Sequence, residues 1–444
     1  GDRVWAEVKK GEIRSGGFDL NGLWAPWYTH HKVFAGLLDA HALAGNKEAL
    51  EVAKKFGDWA IDTTKDLTPE LWERMLACEY GGMNESMAEL YARTGDKKYL
   101  DLARKFYDMR VLDPLAKGEN SLPGKHSNTQ IPKIVGLARL HEVTGNAQDQ
   151  KTARFFWETV VRHHTYVIGG NSNHEYLGLP DQLSDALSSN TAETCNTYNM
   201  LRLTRHLFMQ DPKSDYFDFF ERAHLNHILA SQNPEDGMVT YFMPLASGSS
   251  RGYSNPENNW TCCHGSGMEN HVKHADSIYW RQKDAVLVNL FIPSTLDWRE
   301  EGLTLRMETK YPENGNVKVT IHGNAKRDLI VRFRHPSWVK ERIEANVNGR
   351  SSGFSSRPGD WITVVEKWKD GDVIDFQVPL SLRTEAMPDN PKRIALLWGP
   401  VVLAADLGSR RGPTPRTPVL VTNGKPIEEW LVPTENPMEW TTKA

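Results

Sequence analysis

Apolar residues return every three or four positions through roughly the first 280 residues, then switch to strict alternation. The first pattern is that of amphipathic helices, the second that of half-buried strands. Helical spacing places runs at 28–44, 47–61, 69–77, 81–94, 97–110, 128–144, 148–164, 191–210, 213–231 and 266–280. Three phrases repeat: LLDAHALAGNKEAL, MAELYARTGDKKYL and GLARLHEVTGNAQDQ set Gly45, Gly95 and Gly145 at one constant interval. Glycine takes the left-handed conformation that ends a helix, and the Asn or Asp after it accepts hydrogen bonds from the free amides of the next helix. The repeating unit is a helical hairpin, and hairpins at this period stack as a solenoid or close into a ring. Long irregular stretches at 111–127, 165–190 and 232–265 are of the kind that carry function inside a helical domain. The chain opens in what reads as a loop, with GGFDLNGLWAPW.

After about residue 284 short alternating runs follow one another: VLVNLF near 287–291, LTLRMETKY, NVKVTIHG, DLIVRFRH, EANVNG, WITVVEKW, DVIDFQVP, LSLRTEAM and RIALLWGPVVLAADL. Gly, Asn, Asp and Pro separate them, with a turn signal at 369–372. Short strands at this spacing indicate a β-sandwich. The expected architecture is an α+β multidomain chain: an (α/α)6-type helical barrel over 1–284, a β-sandwich over 285–408 and a Pro-rich extension over 409–444.

Composition removes some functions. Lys and Arg number 53 against 57 Asp and Glu, a net charge of −4, which argues against a nucleic-acid partner. No apolar run of about 18 residues is present to span a membrane as a helix. The 15 Trp residues suit either core filling or stacking on sugar rings. Four Cys are too few for a disulfide scaffold. The start shows no signal peptide; bacterial cytoplasm and periplasm are both compatible, upstream sequence is expected to be missing, and no feature specifies an oligomer.

Two phrases carry candidate metal chemistry. TAETCNTYNMLRLTRHLF (191–208) sets Glu193 and Cys195 at the start of a helix whose later face is apolar. NNWTCCHGSGMENH (258–271) holds Cys262 and Cys263 ahead of a Gly-Ser-Gly turn and another helix. Adjacent cysteines rarely bond to each other, but both can reach one ion where the backbone bends. With Glu193 and Cys195 they make an S3O set suited to tetrahedral Zn²⁺. Three inert buried cysteines explain the same residues, and the spacing is not that of a zinc finger. Cys78 reads as a small buried apolar residue. In IGGNSNHEYLG (168–178), Glu175 is either a proton-holding general acid beside Tyr176 or an ordinary loop carboxylate. Polar clusters at 28–32, 81–85 and 125–130 begin three helices. Capping accounts for Thr29, Asn84 and Asn128. It leaves His31, Glu85, His126 and Gln130, which at one end of each hairpin offer hydrogen bonds to sugar hydroxyls.

Together these phrases resemble the β-L-arabinofuranosidase group of glycoside hydrolases, families 127 and 146. The likeness runs from about residue 22 to 405, through APWYTHHKVFAGLLDA, EYGGMNESMAELYARTGD, HSNTQIPKIVGLARL, GGNSNHEYLG, AETCNTYNMLRLTRHLF, TCCHGSGMENH and ALLWGPVVLA; ETCNTYNMLRLTRHLF is similar to family 146 in particular. The resemblance implies an (α/α)6 barrel with β-sandwich domains and a Zn²⁺ held by Glu193, Cys195, Cys262 and Cys263. It implies Cys262 as nucleophile and Glu175 as acid/base, with His31, Glu85, His126, Gln130 and His264 as sugar contacts. The implied activity is a retaining exo-glycosidase that releases terminal β-L-arabinofuranose from an arabinose-containing oligosaccharide or glycan. Members of the group carry a segment before the PWY phrase that is expected to be missing here, leaving about five of six hairpins. The rivals are an (α/α)-barrel epimerase or lyase, and a non-catalytic glycan-binding protein with structural zinc.

Overall fold

The computed structural model describes residues 2–257, 259–407 and 419–442. They form two compact units that interleave along the chain: 1–164, 175–180 and 199–210 in the first, 165–174, 181–198 and 211–444 in the second.

The first unit is helical. Its elements are α1 (Asp2–Lys9), α2 (Pro26–Ala44), α3 (Lys47–Thr64), α4 (Pro69–Met75), α5 (Met83–Thr94), α6 (Lys97–Lys105), α7 (Met109–Ala116), α8 (Ser127–Thr144) and α9 (Ala147–His163). The glycine repeat works as its chemistry requires. Gly45, Gly95 and Gly145 end α2, α5 and α8 at φ 66°, 71° and 74°. The side chains of Asn46, Asp96 and Asn146 then accept from the amides of Ala49, Lys98 and Gln148 at the next helix start. Helices α2, α5 and α8 pack against one another in series, and each also packs on its own partner, α3, α6 or α9. Helix α8, covered on several sides, buries nearly its whole first three turns, and the polar residues among them, Asn128, Gln130 and Lys133, are hydrogen-bonded as buried polar groups require.

Three expectations change here. The 97–110 run is two helices, because the chain breaks at 106–108 to bury Asp108 against Lys133 Nζ at 2.8 Å. Helix α7 therefore lies inside the stretch expected to be irregular. The chain begins with α1 rather than in a loop, and the GGFDLNGLWAPW phrase folds as a small three-stranded sheet, Ser15–Gly16, Asp19–Leu20 and Leu23–Trp24. Capping falls on Ala25, Gly82 and His126, not on Thr29, Asn84 and Asn128, because each helix starts earlier than the polar cluster suggests. Asn84 and Asn128 are buried instead, bonded to the Lys133 carbonyl and to Asn199 at 2.8 and 2.9 Å.

The second unit holds the first turn of α10 (Thr194–Gln210), then α11 (Ser214–Ala223), α12 (Cys262–Val272) and the strands. Helix α12 is not the expected 266–280 run: it starts at the cysteine pair, with Gly265-Ser266-Gly267 inside it. The cause is at its end, where His264 Nδ1 reaches back to accept from the Thr261 amide at 3.0 Å, one half of a capping box. Gly267 is needed because a Cβ there lies 2.8 Å from the Val239 side chain.

The strands form a β-sandwich. One six-stranded antiparallel sheet runs in the order Arg350–Ser356, Ile343–Val347, Val373–Gln377, Asn316–Gly323, Leu303–Thr309, Ser294–Trp298; a four-stranded sheet runs Trp361–Glu366, Leu329–Arg334, Ala285–Val288, Tyr279–Gln282. Phe333 of the smaller sheet meets Phe376 of the larger at 4.9 Å between ring centres. The turn at 369–372 closes with the Asp372 amide on the Lys369 carbonyl. A third sheet combines Leu382–Met387, Asn390–Trp398 and Val401–Val402. Of the expected Pro-rich extension, 408–418 and 443–444 lie outside the described residues; 419–442 contain α13 (Ile427–Trp430) and the strand pair Leu431–Pro433 and Trp440–Thr442. Among the described residues no helix is long and apolar enough to cross a membrane.

Arg334, fully buried on the smaller sheet, ties that sheet to α11 through Asp218 and Glu221, the latter at 2.7 Å. Arg334→Met leaves the buried Glu221 without its cation and is expected to cost about 3–5 kcal/mol. Urea unfolding of the two proteins measures it; a cost near zero would mean the pair offsets only its own desolvation.

Candidate active site

Four side chains expected to act together converge in the second unit. Ligand atoms of Glu193, Cys195, Cys262 and Cys263 all lie within 4.8 Å of one another. Cys263 Sγ is 3.2 Å from Cys195 Sγ and 3.8 Å from Glu193 Oε1, and Cys262 Sγ is 3.8 Å from the same oxygen. All the cysteines are free thiols.

Each position has a local cause. Glu193 is the residue before α10. The preceding Ala192 is held in the left-handed region at φ 55°, a conformation that costs an alanine about 1–2 kcal/mol. It is kept there by the Ala192 amide on the Ser172 carbonyl at 3.0 Å and by the Met243 amide on the Ala192 carbonyl at 3.1 Å. Ala192 and Met243 sink into one apolar cluster with Tyr166, Ile168 and Leu183. Gly170 approaches so closely that a Cβ there would lie 2.6 Å from the Ala192 Cβ. Residues 240–243 run beside the start of α10, and the Thr194 amide donates to the Tyr241 carbonyl at 2.9 Å. Cys262 and Cys263 are the first two residues of α12, where free amides favour a thiolate.

The three sulfurs differ. Cys195 and Cys263 are buried, and burial pushes both thiols well up. Cys262 is half-buried, and hydrogen bonds from Cys195 and Cys263, then from Tyr241 and the Cys263 amide, push its thiol down. The accessible sulfur is thus the one whose charge is best supported.

Two residues escaped the sequence reading. Tyr241 OH lies 3.8 Å from Cys262 Sγ, and Ser266 Oγ lies 2.9 Å from Cys195 Sγ. Ser266 stands four residues after Cys262, one helical turn, and starting α12 at the cysteines would have placed it. Tyr241 carries no local signal beyond lying in the long 232–265 stretch.

In the first unit, Glu175 and His126 meet. His126 Nε2 is 3.3 Å from Glu175 Oε2, and the Thr129 amide donates to His126 Nδ1 at 3.3 Å. A nitrogen that accepts from a backbone amide carries no proton, so the ring's N–H sits on Nε2 and donates to Glu175. Glu175, His174 and Ser172 all have positive φ. Gln130 is turned to the His126 carbonyl and to Lys133, at 3.1 and 3.0 Å. His31 Nδ1 accepts from the Gly82 amide at 3.1 Å; burial lowers its pKa and keeps the ring neutral. A side chain on Gly82 would meet both His31 Nε2, at 2.8 Å, and Glu85 Oε2, at 3.2 Å, while Glu85 also pairs with Arg202. His264 gives Nδ1 to the α12 cap and leaves its buried Nε2 without a partner among the described residues. Cys78 is buried, its thiol pushed up to about 12 by burial.

Residues 6–276 match the family model described as β-L-arabinofuranosidase, GH127 catalytic domain, and 285–380 match the GH127 middle domain. A curated relative from Bifidobacterium longum, a non-reducing end β-L-arabinofuranosidase, is 25% identical over 82% of this chain and 62% of its own length. The chain therefore spans about three-fifths of that relative. Two solved structures share the fold: a GH127 β-arabinofuranosidase (TM-score 0.70, 23% identity, 85% of this chain and 63% of that one) and a GH127 β-L-arabinofuranosidase from Geobacillus stearothermophilus T6 (TM-score 0.69, 18% identity, 90% and 67%).

Three thiols and a carboxylate gathered in a buried site fit a divalent ion, whose charge offsets theirs. The protein should carry about one such ion per cluster by elemental analysis. Cys195→Ser and Glu193→Gln should each lower that content sharply. Retention should also weaken as pH falls, since protons and metal compete for the same sulfurs. Full occupancy in Cys195→Ser would remove that residue from the ligand set.

Proposed function

The chain belongs to glycoside hydrolase family 127, and from that premise we propose that it removes terminal β-L-arabinofuranose from an arabinose-containing glycan with retention of configuration. The observation that supports this reading best is that Cys262 alone is partly open within the otherwise buried cluster of four side chains, with its thiolate favoured.

Glu175 acts first as an acid. His126 holds Oε2 as an acceptor, so the carboxylic proton is carried on Oε1 and passes to the departing glycosidic oxygen. As that C–O bond breaks, Cys262 Sγ forms a bond to the anomeric carbon and the rest of the glycan leaves as an alcohol. Glu175, now a carboxylate, takes a proton from water. The water oxygen attacks the same carbon, the C–S bond breaks, and Cys262 returns to thiolate. Two inversions give net retention.

Glu193, Cys195, Cys262 and Cys263 would hold Zn²⁺, which when bound keeps sulfur deprotonated and makes the Cys262 thiolate a better leaving group. Tyr241 orients Cys262 Sγ. His31 and Glu85, brought together over Gly82, are proposed as contacts for sugar hydroxyls. His264 uses only Nδ1 in the α12 cap and keeps Nε2 without a partner among the described residues, so it is proposed as a further sugar contact through Nε2. Gln130, turned to the His126 carbonyl and Lys133, is proposed as a contact through its remaining amide N–H.

The test uses an aryl β-L-arabinofuranoside. Cys262→Ser should abolish turnover. Glu175→Gln should lower kcat by about 10²–10⁴-fold. Because the aryl group leaves without much help from an acid, Glu175→Gln should also accumulate a pentosyl adduct on Cys262, visible by peptide mass spectrometry. Turnover by Cys262→Ser, or an adduct on another residue, overturns the assignment.

A further inference from the structure

The small sheet before α2 presents an aromatic surface that the mechanism above leaves unused. Trp24 is 61% exposed and Tyr176 46% exposed. Trp24 stacks near Phe18, with ring centres 6.4 Å apart and planes 15° apart. Phe18 meets the His126 ring edge-on at 5.2 Å, and His126 meets Tyr176 edge-on at 5.4 Å. His126 is the residue that holds Glu175, and Tyr176 follows Glu175 in the chain. The rings therefore form a stepped floor, turned edge-on at His126, that leads from Trp24 to the residue hydrogen-bonded to Glu175.

That floor is held firmly. Asp19 and Leu20 pair with Trp24 and Leu23, and the Ala25 amide donates to the Phe18 carbonyl at 2.7 Å. The Glu79 amide anchors the sheet through the Gly17 carbonyl at 2.8 Å. Tyr28 meets the Trp24 ring edge-on at 5.8 Å. An exposed ring of fixed orientation is suited to a flat partner with apolar C–H faces and hydroxyl edges, which is a sugar ring. The hydroxyl of Tyr176 adds a polar group at the same place.

We propose that Trp24, Phe18 and Tyr176 form the subsite for the sugar next to the bond being cut, so that the preferred leaving group is another sugar ring rather than a peptide or a small alcohol. This rests on the reading of Glu175 as the acid: an acid stands beside the leaving oxygen, so a floor that leads to the partner of Glu175 receives the leaving group. Trp24 is a specificity-determining residue in this proposal and takes no part in proton transfer or bond making.

The test compares kcat/KM for an arabinose disaccharide with that for methyl β-L-arabinofuranoside, in the wild type, Trp24→Ala and Trp24→Phe. The ratio should fall about ten-fold in Trp24→Ala, carried by KM for the disaccharide, and Trp24→Phe should recover most of it. Equal losses on both substrates would mean that Trp24 only supports the sheet, and an unchanged ratio would mean the ring serves another surface; either result overturns the proposal. If the wild type cleaves neither glycoside, it is the enzymatic reading that has failed. Saturation-transfer NMR with the disaccharide then decides the floor separately: a transfer signal present in the wild type and abolished by Trp24→Ala upholds it, and a signal that is equal in both proteins, or absent from both, overturns it.

Discussion

Three sulfurs and a carboxylate packed into a largely buried site repel one another when charged, and cost desolvation either way. The second unit accepts that cost and builds around it. Two helices begin at the cluster, and the Cys263 amide at the start of α12 supports the Cys262 sulfur. The Tyr241 carbonyl takes the Thr194 amide, which fixes the start of α10. Ala192 is strained to aim the next residue inward, and the strain is held by an apolar cluster into which Ala192 and Met243 both sink. Met387 and Val402, from the third sheet, pack against that cluster, so the strands also support the position of Glu193.

His126 shows how one side chain can cap a helix and hold a carboxylate together. Its Nδ1 caps α8, which consumes the acceptor nitrogen and leaves the proton on the other. A capping requirement thereby sets the tautomer, and the tautomer sets which oxygen of Glu175 is occupied. The positive φ values at His174 and Glu175 mark the same segment as held by its surroundings rather than by its own preferences.

The aromatic floor differs from both in being built at low cost. Three short strands suffice to orient Trp24, because Phe18 and Tyr28 already lie beside it and α2 follows at once.

Much of this was readable in the sequence. The glycine repeat, its Asn and Asp caps and the alternating strands depend on interactions that reach only a few residues, and every one of them is written locally. Where local signals compete, reading failed: the 97–110 run breaks because Asp108 is drawn to Lys133, twenty-five residues on, and α12 begins at Cys262 because His264 reaches back to its cap. The identities of the four clustered side chains were visible through the resemblance of their phrases, yet no spacing rule joins Cys195 to Cys263 across 68 positions. Only tertiary packing brings them to 3.2 Å, adds Tyr241 and Ser266 beside them, and leaves Cys262 alone partly open. The reason is physical: helix ends and strand alternation are set by neighbours along the chain, whereas the distance and exposure of a reacting atom are set by everything that packs around it.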